Sequence, residues 1–159
     1  MQINLKKIIP DKLDNGYTGS KIALYAFYFL TAVTIARSLV HIFALDGGAE
    51  SIATIPLDQF GFDASNAVVF LFGLWGISQL IIGLIYLLAA IRYRSLIPLM
   101  YCLMIIEYIA RAVLGYMKPI MTTATAPGGI MNVPVAVLAF LFLVLSLRQN
   151  SKDFNNKNE

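Results

Sequence analysis

The sequence predicts an all-α fold, a transmembrane four-helix bundle with N and C termini cytoplasmic, on three observations. Its side chains are 58% hydrophobic and only 13% charged over 159 residues, which is not the balance of a soluble domain. Windows such as VVFLFGLWGISQLIIGLIYLLAAI (68–91) are apolar on every face, whereas a helix of a soluble bundle keeps one polar face. The basic residues, finally, gather at one set of span ends.

A hydrocarbon core of about 30 Å takes about 20 helical residues, and four segments fit. The first runs from Ile22 to Leu45, behind a polar segment (1–21) too unlike a cleaved leader to be read as one, so the span is expected to stay as an anchor. The second runs from Ala67 to Ile91, after the cap-like Asp63, Ser65 and Asn66. The third covers Leu96 to Met117, with Pro98 tolerated in its first turn. The fourth covers Ile130 to Leu147, opened by PGG and Pro134. Residues 22–147 thus form a single four-span domain, followed by a polar tail (148–159) with the composition of a disordered segment.

Of the twelve lysines and arginines, nine fall on one side: Lys6, Lys7, Lys12, Lys21, Arg92, Arg94, Arg148, Lys152 and Lys157. The opposite side has only Lys118, while its first loop carries Asp46, Glu50, Asp58 and Asp63. This bias predicts cytoplasmic termini. Lysine- and asparagine-rich ends point to a bacterial source, and the expected location is a bacterial inner (cytoplasmic) membrane. The net charge of +3 sits at span ends and implies no nucleic-acid partner. The first outer loop, DGGAESIATIPLDQFGFDASN (46–66), is expected to hold a short amphipathic helix near Glu50–Ile55 and to act as a lid. A lone cysteine, Cys102, and a lone histidine, His41, supply no disulfide, haem or metal site within one chain, and no cofactor is expected.

The two remaining arginines, Arg37 and Arg111, lie inside spans. Thr31, Thr34, Arg37, Ser38 and His41 recur every three or four residues, on one inward face of the first span. Gly76, Gln79, Gly83 and Tyr86 make a small, polar stripe on the second, and Glu107, Arg111 and Gly115 continue Met100 and Met104 on the third. At about 1.5 Å per residue, Arg37 and Glu107 lie roughly 20 Å from the cytoplasmic edge, with Gln79 near mid-membrane and His41 and Arg111 higher. A buried charge in lipid costs at least about 2.5–3.5 kcal/mol. The arginines therefore need partners, and Glu107 is the only carboxylate at their depth.

Two guanidinium groups against one carboxylate leave surplus positive charge, which suits a small anionic or lipid-like, quinone-like included, ligand in an outer-half cavity. Arg37, His41, Gln79, Glu107, Tyr108, Arg111, Trp75 and Lys118 are its candidate ligand-binding residues. Three other readings stay open. Glu107 or His41 can act as the proton donor or acceptor of a membrane enzyme with a lipid-soluble substrate. Glu107 and Arg111 can be a purely structural pair, with Arg37 and His41 reaching outward to headgroups. Four spans can also build a transporter, as an oligomer.

The segment WGISQLIIGLIYLLAAIRYRSLIPLMYCLMIIEYIARAVLGYMKP (75–119) resembles the small four-span bacterial membrane proteins called DoxX-like, in its short inner turn, glycine-rich second span and arginine late in the third. That resemblance implies an accessory subunit of a membrane oxidoreductase, and it transfers no catalytic motif; a homo-oligomer or a membrane-complex partner is expected besides.

Overall fold

The computed structural model describes residues 3–148. The tail beyond Arg148, with Lys152 and Lys157, lies outside the described residues. Four helices run through the molecule: α1 (Lys21–Phe43), α2 (Phe62–Ile91), α3 (Ile97–Met117) and α4 (Pro127–Leu147). All four are long and apolar enough to cross a bilayer. Their outward faces carry large apolar side chains such as Phe70, Ile81, Leu88, Ile109 and Leu141. Exposure on that scale is unfavourable in water and neutral in lipid, so the chain is built as a multi-pass membrane protein.

Local chemistry sets the helix starts. The Ser20 hydroxyl accepts from the Ile22 amide and opens α1. Pro98 and Pro127 sit in the first turns of α3 and α4, where a missing N–H costs nothing. Two starts differ from the sequence expectation. Helix α2 begins at Phe62, not Ala67, because Asp63 lies inside the first turn, near the positive helix end, and the Ser65 hydroxyl donates to Leu57 O. Helix α4 takes PGG into its first turn instead of following it.

Helix α1 lies along α2, and α3 along α4. The glycines of α2 allow the first contact: a Cβ on Gly76 would stand 2.8 Å from His41 Cβ and 3.1 Å from Ser38 O. At the end of the bundle nearer the termini, Phe27, Tyr86 and Tyr101 meet edge to face at 5.6 and 5.7 Å. Tyr101 also donates to Ala23 O at 2.6 Å. Ala23, Ala89, Ile97, Met100, Met104, Ala139 and Leu143 fill the surrounding space. This half is a dense apolar plug, in which the tyrosines serve as core residues.

The N-terminal segment lies across the same end. Asn4 N donates to Leu147 O at 3.2 Å, Ser20 N to Leu145 O at 3.1 Å, and Lys7 Nζ to Arg148 O at 3.0 Å. Asp14 and Ser95 exchange three further bonds. Both ends of the described chain and the Arg92–Arg94 turn therefore share one end of the bundle. The loop end is organised differently. No helix forms over Glu50–Ile55: residues 45–53 wind through successive turns, with Gly47 and Gly48 at φ 60° and 76°. Asp46 gathers the amides of Gly48, Glu50 and Ser51 at 2.9, 3.1 and 2.7 Å. The left-handed glycines reverse the chain before a helix can propagate.

Candidate functional site

The charged residues of the polar stripes read from the sequence meet in the loop-end half. Thr31, Thr34, Ser38 and His41 are buried on α1, and Gly76, Gln79, Gly83 and Tyr86 on α2. The threonine and serine hydroxyls do not enter the site. Thr31, Thr34 and Ser38 each donate to the carbonyl four residues earlier, which satisfies them within their own helix.

Gln79 joins the charged residues. Arg37 Nη2 donates to Gln79 Oε1 at 2.9 Å, and Gln79 Nε2 donates to Glu107 Oε1 at 2.9 Å. Arg111 pairs with the same carboxylate oxygen from one turn further along α3. Arg37 thus reaches Glu107 through an amide relay, not by the direct sharing that the depth estimate suggests. The Tyr108 hydroxyl stands 3.5 Å from Arg37 Nη1. Arg37 Nε is buried without a hydrogen-bond partner among the described residues.

Trp75 and His41 complete the wall. Arg111 Cζ lies 4.9 Å from the Trp75 ring centroid and Arg37 Cζ 5.7 Å from it, so one indole is a shared π-surface for both cations. His41 stacks on Trp75 at 4.5 Å, and Phe72 meets both rings edge-on. The His41 Nδ1 bonds to Gly47 O at 2.8 Å. A carbonyl only accepts, so this partner assigns the proton to Nδ1 and leaves Nε2 of the neutral ring as an acceptor.

These groups border a cavity of about 660 Å³. Arg37, His41, Trp75 and Arg111 line it from the bundle; Gly115, Ile130 and Asn132 continue it along α3 and α4. Ile52 and Ala53 of the first long loop, and Thr122, Thr125 and Ala126 of the second, border it at the loop end. Thr54 ties the two loops together. Thr123 N donates to Thr54 O at 2.9 Å and Thr54 Oγ1 to Ala124 O at 2.8 Å.

The candidate residues therefore divide. Arg37, His41, Trp75 and Arg111 face the cavity; Gln79, Glu107 and Tyr108 form the hydrogen-bonded layer behind the arginines. Lys118, exposed at the end of α3, is not among the lining residues. The sequence reading assigned no part to Phe72, Asn132 or the first turn of α4. Asn132 is, with Ser146, one of two polar side chains in the fourth span, which is a usable signal; Phe72 is one of many aromatics and carries none. Compared with known proteins, the chain matches no family model, no curated protein and no solved structure.

Proposed function

We propose that this chain is a membrane-embedded binding protein that takes a small amphiphilic anion into the loop-end cavity, its charged head on Arg37 and Arg111 and its apolar part against Trp75, Phe72 and Ile130. One observation carries the reading: two guanidinium groups line an open, mostly apolar cavity, and the single carboxylate that serves them sits behind them. The surplus positive charge persists whichever protonation state Glu107 holds. A cavity of about 660 Å³ is of the size that takes a small molecule. With the basic ends facing the cytoplasm, the cavity opens outward from a bacterial cytoplasmic membrane. The DoxX-like resemblance adds an accessory role beside a membrane oxidoreductase, where the bound molecule would be a quinone-like or carboxylate-bearing lipid.

Catalysis by Glu107 has less support, because its Oε1 is engaged by Gln79 and Arg111 and the residue is not part of the cavity wall. His41, on the wall with an acceptor nitrogen, is the better proton acceptor for an enzymatic reading.

Trp75 is the only tryptophan and lines the cavity, so its fluorescence reports occupancy directly. In nanodiscs, palmitate is expected to change Trp75 emission saturably, and hexadecanol to bind about tenfold or more weakly, a difference of about 1.4 kcal/mol or more. Arg37→Gln and Arg111→Gln are each expected to weaken palmitate by a similar factor, with Lys118→Gln unchanged. Equal binding of acid and alcohol, or wild-type affinity in both arginine variants, overturns the reading. Decylubiquinone in the same titration separates the quinone-like from the carboxylate ligand.

A further inference from the structure

A second cavity, of about 640 Å³, lies on the outer surface between α1 and α2, running from the end nearer the termini along α1 to Leu39, and shares no lining residue with the loop-end cavity. It is a groove carved by small side chains. Ala32 and Ala36 of α1 and Ala90 of α2 leave its floor low, while Tyr28 and Leu39 mark its two ends along α1. Eleven residues separate Tyr28 from Leu39, about 16 Å of helix. Half of a hydrocarbon core is about 15 Å. The groove is thus as long as one leaflet is deep.

Its end nearer the termini is charged. Arg94 lines the groove there, and its side chain is held in place: Nε donates to Ala90 O at 3.1 Å, and the guanidinium carbon lies 6.0 Å from the Tyr28 ring centroid. The two terminal nitrogens have no protein partner among the described residues. No carboxylate lines the groove. A positive group fixed at the membrane surface above an acyl-length apolar channel has the chemistry of an anionic lipid site.

We propose that this groove holds one anionic phospholipid of the leaflet nearer the chain termini, its phosphodiester on Arg94 and one acyl chain along Ala36, Ala32 and Ala90. The competing occupant is a second copy of the chain, since alanines four apart also suit helix contact. Charge decides against it. A two-fold contact through this patch would place both copies' Arg94 in one interface with no carboxylate among the residues lining either groove, whereas a phospholipid brings negative charge into it. This site is independent of the loop-end cavity.

The test uses the full chain in detergent, with native mass spectrometry after addition of phosphatidylglycerol or phosphatidylcholine. Wild type is expected to retain one phosphatidylglycerol at least about tenfold more strongly than phosphatidylcholine. Arg94→Gln should lose that preference, Ala36→Leu should lose lipid retention by filling the channel, and Arg92→Gln should keep both. Palmitate quenching of Trp75 is expected unchanged in all three, which shows that each variant is folded. Indistinguishable retention of the two lipids in wild type overturns the proposal. So does a wild-type dimer that Ala36→Leu converts to monomer without any change in lipid retention, because the groove then belongs to a second copy.

Discussion

Gln79 donates from α2 to the Glu107 carboxylate on α3 at 2.9 Å, while its carbonyl receives Arg37 from α1. One neutral amide thereby holds three helices at a common height. The bond from Arg37 involves a charged group, a class worth about 1.5–3 kcal/mol, although interhelical bonds in membranes average nearer 0.6 kcal/mol. Gln79→Leu is therefore expected to lower stability by about 1–3 kcal/mol. The Gln79→Leu and Glu107→Gln double-mutant cycle, read by thermal melting in detergent, should show coupling; strictly additive melting shifts would mean that the relay carries no energy.

The glycines make a graded set. Gly76→Ala places a methyl group 2.8 Å from His41 Cβ and 3.1 Å from Ser38 O, atoms that move only if α1 moves. The expected loss is about 1–3 kcal/mol, with weaker palmitate binding because His41 shifts. At Gly83 the nearest atom is Ile35 Cγ1 at 2.8 Å, the branch of a side chain that can turn, so Gly83→Ala should cost less. Nothing lies within 4 Å of a Cβ at Gly115, and Gly115→Ala should stabilise α3 by about 0.5–1 kcal/mol. Melting temperatures that fail to follow this order would contradict the α1–α2 contact.

Asp46 gives the first long loop a pH dependence. Burial alone pushes its pKa up, but the amides of Ser51, Gly48 and Glu50 outweigh it and hold the group down at about 2, against an ordinary 3.8. A carboxylate depressed on folding stabilises the loop above the unfolded value, and that contribution is lost as pH falls through the folded value. Loop protection against hydrogen exchange is thus expected to hold down to about pH 4 and to fall away towards about pH 2. Asp46→Asn should be less protected at neutral pH and flat over that interval. A variant that tracks wild type throughout would exclude this role.

Thr54 sits at φ 55°, a conformation that a β-branched residue adopts at a cost of about 1–2 kcal/mol. Its bonds with Thr123 and Ala124 hold it there, next to Ala53 of the cavity lining. Thr54→Val keeps the backbone strain and removes the hydroxyl, so the second loop (118–126) should exchange its amides faster and palmitate should leave faster. Thr54→Gly removes both strain and hydroxyl; it should match Val in ligand release yet melt higher. Unchanged release in both variants would leave the loop clasp without a gating role.

The number of spans, their approximate ends and the inward stripes were all legible in the sequence. The reason is local: a rise of about 1.5 Å and a repeat of 3.6 residues fix the depth and face of each side chain once a segment is helical. Thr31, Thr34, Ser38 and His41 are buried together for that reason, as are Gly76, Gln79, Gly83 and Tyr86. Which stripe faces which is not local. That Gln79 stands between Arg37 and Glu107, and that Arg94 borders a groove while Lys118 does not line the loop-end cavity, depend on how neighbouring helices are rotated, and side-chain interlocking settles that rotation only when all four assemble. The loops lie furthest from the sequence's reach. Two left-handed glycines and one carboxylate wind the segment near Glu50 where a helix was expected, and only the bonds of Thr54 with Thr123 and Ala124 bring both loops together at the border of the arginine-lined cavity.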